Sequence, residues 1–213
     1  MKQLGTLGFA VGVAAAAVPA SAQAPSSTGF NVSGGQDQSW QVQYTNSTAP
    51  AGSGFFNAYV VQNPPGVWES NTASYQWISA TSSGSLGSAS SYTYQTTFDL
   101  TGYDPNSVAL VFRCAVDNNF VSFSLNGTVT TASCGSGNTT NFKFGSAQTL
   151  STGFVGGVNT LSINVTGDGA TDGFIMSVDR FNASQSTVPE PSSMALLGTG
   201  LVGLVPVIRR RKS

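Results

Sequence analysis

Histidine is absent from this 213-residue chain, charge is scarce and cysteine occurs only twice. Each shortage excludes something. Without imidazole there is no histidine metal site and no Ser–His or Cys–His nucleophile pair. Only 8% of the residues are charged, and 8 Lys+Arg against 9 Asp+Glu give a net −1, where an ordinary soluble domain is about 25% charged. No basic stripe can form, so no nucleic-acid partner is expected. Two cysteines are too few for a disulfide-dense scaffold.

Five of the eight bases are gathered at the ends. Lys2 precedes an uncharged apolar run at residues 4–18, Pro19 breaks that run, and Ala20-Ser21-Ala22 follows. Small residues at Ala20 and Ala22 are what a signal peptidase accommodates, so residues 1–22 are expected to be a secretory signal cleaved before Gln23. A retained anchor is the weaker reading, since a small-x-small site closes the run. At the other end Pro189-Glu190-Pro191 leads into uncharged residues 192–208 and then Arg209, Arg210, Arg211 and Lys212. Residues 191–208 are long enough to span a locally thinned bilayer as a hydrophobic helix. The terminal basic cluster would stay cytoplasmic and leave the body on the far side.

The text VPEPSSMALLGTGLVGLVPVIRRRKS, residues 188–213, resembles the PEP-CTERM sorting signal: a Pro-Glu-Pro motif, a hydrophobic span and an arginine cluster in that order. The resemblance implies export in a Gram-negative bacterium, recognition by an exosortase-type membrane transpeptidase, transient membrane attachment and removal of the tail. It also implies an exopolysaccharide-producing setting. A GPI signal would instead finish apolar, and the Asn-x-Ser/Thr triplets, such as Asn138-Thr139-Thr140, are expected by chance in so Asn- and Thr-rich a chain.

Setting both signals aside leaves a body with eight acids (Asp37, Glu69, Asp99, Asp104, Asp117, Asp168, Asp172 and Asp179) and three bases (Arg113, Lys143 and Arg180), a net −5. It reads as one all-β domain, a jelly-roll-like β-sandwich over residues 36–183, preceded by a loose lead-in at 23–35 and followed by the sorting signal at 184–213. Period-two alternation predicts strands at 92–100, 108–116, 121–125, 161–165 and 174–178, with weaker ones at 40–44, 56–61 and 74–78. Turn residues separate them, and no helical period runs between the signals. Asn126-Gly127 predicts a type I′ hairpin turn pairing Leu125 with Thr128 and Phe123 with Thr130, with Ala132 and Cys134 on the face of Val121.

In an oxidising exterior Cys114 and Cys134 are expected to join. If Asp117-Asn118 also made a tight hairpin, the two would flank one shared strand about 10 Å apart, too far for a bond that needs Cα atoms within about 7 Å. Either the chain crosses between sheets at Asp117 or residues 130–136 bend away from the ladder.

Residues 97–127, TFDLTGYDPNSVALVFRCAVDNNFVSFSLNG, and 153–165, GFVGGVNTLSINV, resemble the galactose-binding-domain-like jelly roll. The resembling features are a turn near Asp117, a strand ending in Asn126-Gly127 and a later Gly157-Val158-Asn159-Thr160-Leu161 strand, with Trp68 and Trp77-Ile78 upstream. The resemblance implies a sandwich that binds carbohydrate through rim loops or serves only as scaffold.

Trp68, close to the Pro64-Pro65-Gly66 turn, is the first candidate for stacking on a sugar, with Tyr103 and Trp40 behind it; Trp77 is expected in the core. The acidic stretch 168–173 places Asp at the first and fifth positions of a calcium-loop pattern, but Ala170 interrupts it and a solvated hairpin loop is expected. Jelly rolls can hold structural calcium through carbonyls that sequence does not locate; otherwise no cofactor is implied. No phosphate loop or reactive thiol pattern is present, and a glycosidase would need two facing carboxylates. The expectation is a non-catalytic exported surface or matrix protein whose partner, beyond the exosortase, is extracellular polysaccharide. The alternatives are a self-assembling surface module without a sugar site and a carbohydrate-active enzyme.

Overall fold

The computed structural model describes residues 23–46 and 54–186. The expected cleavage residues Ala20 and Ala22, the sorting residues Pro189, Glu190, Pro191, Arg209, Arg210 and Arg211, and the apolar stretch between them lie outside the described residues. Among the described residues no helix is long and apolar enough to cross a membrane.

The body is an antiparallel all-β sandwich. Its strands are β1 (Val32–Ser33), β2 (Gln36–Thr45), β3 (Phe56–Val60), β4 (Ile78–Ser79), β5 (Ser90–Asp99), β6 (Ala109–Asp117), β7 (Asn119–Leu125), β8 (Thr128–Val129), β9 (Gln148–Leu150), β10 (Val158–Gly167) and β11 (Gly173–Asn182). They follow one continuous path, β8-β7-β10-β5-β2-β3-β4-β11-β6-β9, with β1 appended to β2. One sheet therefore curls over itself, and short β3 and β4 form the fold between two layers. Period-two burial fills the space between them. Trp40 and Tyr94 of one layer meet Phe174 of the other at 5.3 Å between ring centroids, and Phe112 stacks on Phe123 at 4.8 Å. All of these rings are buried.

The strands expected at 92–100, 108–116, 161–165 and 174–178 form, each longer or shifted by a residue or two. Asn126 and Gly127 take positive φ, Leu125 pairs with Thr128, and the Thr130 N–H reaches the Phe123 carbonyl at 2.8 Å, as expected. Two local readings fail. Val121 is 57% exposed, because a bulge in β7 aligns Ser122 with Asn164 and Phe120 with Val165. The extra residue turns Val121 outward, and Phe120 packs on the core in its place. Of residues 74–78, only Ile78 enters a strand.

The lead-in at 23–35 is not loose. Strand β4 pairs with β11 at a single position, Phe174 with Ile78, which leaves the edge of β11 opposite β6 without a strand over the next residues. Thr28 fills the gap. Its N–H donates to the Met176 carbonyl at 3.0 Å, its carbonyl accepts from the Gln76 N–H at 2.8 Å, and its hydroxyl donates to the Gln76 carbonyl at 2.8 Å. Ser27 Oγ accepts from the Val178 N–H at 2.9 Å. Buried backbone groups must be paired, and this small polar segment pairs them, so Thr28 is wholly buried.

Candidate functional site

The cysteines are bonded, with Cα atoms 4.8 Å apart, and both geometric routes to that bond are taken. After Asp117 the chain leaves β6, which pairs with β11, and enters β7, which pairs with β10 in the other layer. After Val129 it leaves the β7 ladder, and Gly135 lies beside Ala115 in a parallel bridge. The Gly135 N–H donates to the Cys114 carbonyl at 2.9 Å and the Val116 N–H to the Gly135 carbonyl at 2.8 Å. A Cβ on Gly135 would stand 2.2 Å from the Lys143 carbonyl oxygen, so only glycine lets the loop lie this close to β6. A helical turn, Gly137–Thr140, follows under a Ser136–Thr139 capping box.

Among the described residues β8 and β9 end the strand path, and between them and this loop the curled sheet leaves a seam. Over the disulfide the seam opens into a hollow of about 520 Å³ lined by Asn119, Phe120, Ser133, Cys134, Gly135, Ser136, Asn138, Thr139, Thr140, Gly145, Ser146 and Gln148. A second hollow of about 390 Å³ is lined by residues 128–131 and 149–153 with Leu125. Among the described residues no charged side chain lines either hollow. Asn138 Nδ2 donates to Asn119 Oδ1 at 3.2 Å, Gln148 Nε2 to the Ser146 carbonyl at 3.0 Å, and the Ser133 N–H to Gln148 Oε1 at 3.4 Å. These bonds fix the side chains and leave Asn119 its NH₂ and Asn138 its carbonyl oxygen for a ligand. Phe120, half-buried, is the one aromatic ring at the wall.

The aromatic residues expected to meet a sugar lie elsewhere. Trp40 is wholly buried and its indole N–H donates to the Ser26 carbonyl at 2.8 Å. Trp68 is 2% exposed: it packs on Trp77, 4.1 Å between centroids, and donates its indole N–H to Asp117 Oδ2 at 2.7 Å. Together with Val61, Trp77, Ala115 and Ile175 it forms a second small core outside the β6–β11 layer. The stretch after the proline turn is thus a cover for that layer, which is why its indole faces inward. Tyr103 packs on the main core, and its backbone bridges to Gln185. None of the three lines the seam.

The stretch 168–173 is an arch between layers, not a solvated hairpin, since β10 and β11 belong to different layers. Its Asp172 is wholly buried and accepts from Tyr92 Oη at 2.9 Å and from the Gly169 and Asp168 N–H groups at 3.1 and 3.2 Å. Gly167 makes this possible, as a Cβ there would come within 2.2 Å of the carboxyl carbon. The arch brings three carboxyls to one end of the sandwich. Burial pushes Asp117 up to about 7 against the opposing pull of the Trp68 indole, and burial raises Asp172 as well. Asp168, at the surface, is held low by the Ala170 N–H and the Asn118 side chain. Asp117, Asn118, Asp168 and Trp68 border a hollow of about 230 Å³. Among the described residues no group of three or more His, Cys, Asp or Glu is placed to hold a metal ion.

The ends of the body are close together. The Gln23 N–H meets the Asp99 carbonyl at 3.4 Å and the Ser186 N–H the Gly102 carbonyl at 2.9 Å. The larger hollow lies toward the other end, where β6 hands over to β7.

A low-charge all-β body closed by a disulfide, with polar hollows along an open seam, is a module suited to the oxidising exterior of a cell. The PEP-CTERM protein-sorting motif matches residues 187–212, directly after the last described residue. The chain is therefore an exported protein whose membrane-anchored precursor is processed by an exosortase-type enzyme. No curated protein and no solved structure matches it.

Proposed function

We propose that the exported body is a non-catalytic, cofactor-independent binder of extracellular polysaccharide at the surface of a Gram-negative bacterium, and that the ligand lies in the seam. The 520 Å³ hollow carries this reading: it has the size of a small-ligand site, and its described wall joins hydroxyls, amides and glycine backbone to the Phe120 ring and Cys134, with no charged side chain. Such a wall matches neutral sugar hydroxyls, each of which gives and accepts hydrogen bonds. The resemblance of residues 97–127 and 153–165 to the galactose-binding-domain-like jelly roll, and the polysaccharide setting that the sorting motif implies, support it.

Asp117, the carboxyl raised furthest into the neutral range, is only 6% exposed and bonded to an indole, so it is not presented as an acid–base group to a substrate. The test is titration of the purified body with the producer's own polysaccharide and a glycan array. Asn138→Ala with Gln148→Ala is expected to lower affinity at least tenfold without changing the urea midpoint by more than a few tenths of a molar. Silence on the array together with no retention on the polysaccharide would refute the proposal.

A further inference from the structure

The two layers of the sandwich are treated differently on their outer sides. The β6–β11 layer is covered by the Trp68–Trp77 core, against which Tyr75, Phe142 and Phe144 also pack. The β10–β5–β2 layer has no such cover among the described residues. Along it every second residue from Thr160 to Thr166, from Ser91 to Thr97 and from Gln41 to Thr45 points outward, and each is Ser, Thr, Asn or Gln. No charge and no ring interrupts these stretches.

The side chains are joined across the strands. Thr93 Oγ1 donates to Asn164 Oδ1 at 2.7 Å, Asn164 Nδ2 donates to Ser122 Oγ of β7 at 2.9 Å, and Gln95 Nε2 donates to Gln41 Oε1 at 3.1 Å. Directly opposed residues are thereby locked in rows about 4.8 Å apart. Each amide still has bonding capacity outward: Gln41 keeps its NH₂ and Gln95 its carbonyl oxygen. A shallow hollow of about 150 Å³ between β2 and β5 exposes this pair.

We propose that this layer is a second docking surface, for a neutral, hydroxyl-rich polysaccharide presented as laterally packed chains. The polysaccharide chemistry rests on the function proposed above; the surface is a separate one. The partner must be neutral, because an uncharged lattice offers nothing to offset the desolvation of an ionic group. The partner must also be extended and repeating. Four strands about 4.8 Å apart and seven residues at about 3.4 Å give roughly 450 Å², whereas a stable protein interface takes about 800 Å² from each partner. A second copy of this body, itself net −5, gains neither area nor charge complementarity here. A packed polymer meets many copies at once, and weak contacts then add by multivalency.

The test is co-sedimentation of the purified protein with microcrystalline cellulose, a neutral packed glucan, alongside titration with soluble oligosaccharides. The double variant Thr93→Glu, Gln95→Glu is expected to lower the pelleted fraction at least tenfold, and 1 M NaCl to leave wild-type pelleting unchanged. The seam variant Asn138→Ala, Gln148→Ala is expected to pellet like wild type while losing soluble oligosaccharide. Should the β5 double variant misfold, Gln41→Lys on the neighbouring strand gives the same readout. Wild type that stays in the supernatant would overturn the proposal, as would a seam variant, and not a face variant, that fails to pellet. So would dimerisation in sedimentation velocity that the face variant abolishes, since a second copy would then own the surface. Loss of soluble-sugar binding alone would bear only on the seam.

Discussion

Replacing Asp117 by Asn should make the protein more stable at pH 8, although it removes an acceptor from a buried 2.7 Å hydrogen bond with the Trp68 indole. The amide carbonyl can take the indole N–H in the carboxylate's place, and the adjoining hollow offers water to the new NH₂ group. What the substitution removes is a buried charge. Asp117 titrates at about 7 in the folded protein against an ordinary 3.8, so the folded state holds a proton that the unfolded chain releases. A carboxyl raised in this way contributes stability that is present below about pH 4 and is lost as the pH climbs through 7. At about 1.36 kcal/mol per unit, roughly 3 kcal/mol of the wild-type stability should disappear between pH 4.5 and 8 through this group.

Asp37 and Asp172 are also raised by burial and act in the same direction, but they are present in both proteins and cancel in the comparison. Asp99, Asp168 and Asp179 are lowered and lose their contributions only below the ordinary carboxylate range. Urea unfolding followed by tryptophan fluorescence at pH 4.5, 6 and 8 measures the difference. With m near 2 kcal/mol/M, the variant's midpoint should exceed the wild type's at pH 8 by about 1–1.5 M relative to the difference at pH 4.5. A wild-type midpoint that is level or rising across this window, or a variant weaker by 1 kcal/mol or more at pH 8, would refute the reasoning.

Cys134→Ser opens a loop of 20-residue separation. It should cost about 3 kcal/mol by loop entropy and weaken polysaccharide binding, because the bond holds one wall of the seam; thermal unfolding and titration read the two effects. Gly135→Ala forces a Cβ to within 2.2 Å of the Lys143 carbonyl and should cost at least about 2 kcal/mol, measured as a urea midpoint, with sugar affinity falling in parallel. Arg113→Ala removes the 2.8 Å ion pair with Asp179, whose side chains are 40% and 27% exposed. It should cost at most about 1 kcal/mol, with the difference narrowing in 0.5 M NaCl.

The layers could be read from the sequence because a strand with one buried face must alternate. Tyr92, Tyr94 and Phe98, like Leu161, Ile163 and Val165, announce both strand and inward face. The Asn126-Gly127 turn fixed its own register for the same local reason. Trp68 could not be placed in this way. A proline turn beside an indole describes an exposed loop equally well as a lid, and only the tertiary position of Asp117 decides which. The bulge at Val121 is likewise set by the partner strand, β10, and not by β7's own alternation. The seam had one faint sign, the run of Ser, Thr, Gly and Asn from Thr128 to Asn141. Composition of that kind says that a segment is polar, not that it bends back over a disulfide to make a wall. Thr28 shows the converse: a Ser-rich lead-in that looks unstructured becomes fixed because a neighbouring strand is too short.

The placement of the ends bears on how sorting and the proposed binding can coexist in one chain. Gln23 and Ser186 are tied to Asp99 and Gly102, three residues apart on one turn, and the sorting motif begins at residue 187. The last backbone bridge of the body, Tyr103 to Gln185, therefore closes the fold immediately before the segment that the exosortase recognises. Strand β5 runs ten residues from Ser90 to Asp99, about 30 Å at roughly 3.3 Å per residue, and the larger hollow lies toward its far end. Cleavage beyond residue 186 leaves every described strand, core residue and seam wall in the chain. Under the function proposed above, release and ligand contact then act at different ends of the sandwich, and neither requires it to open.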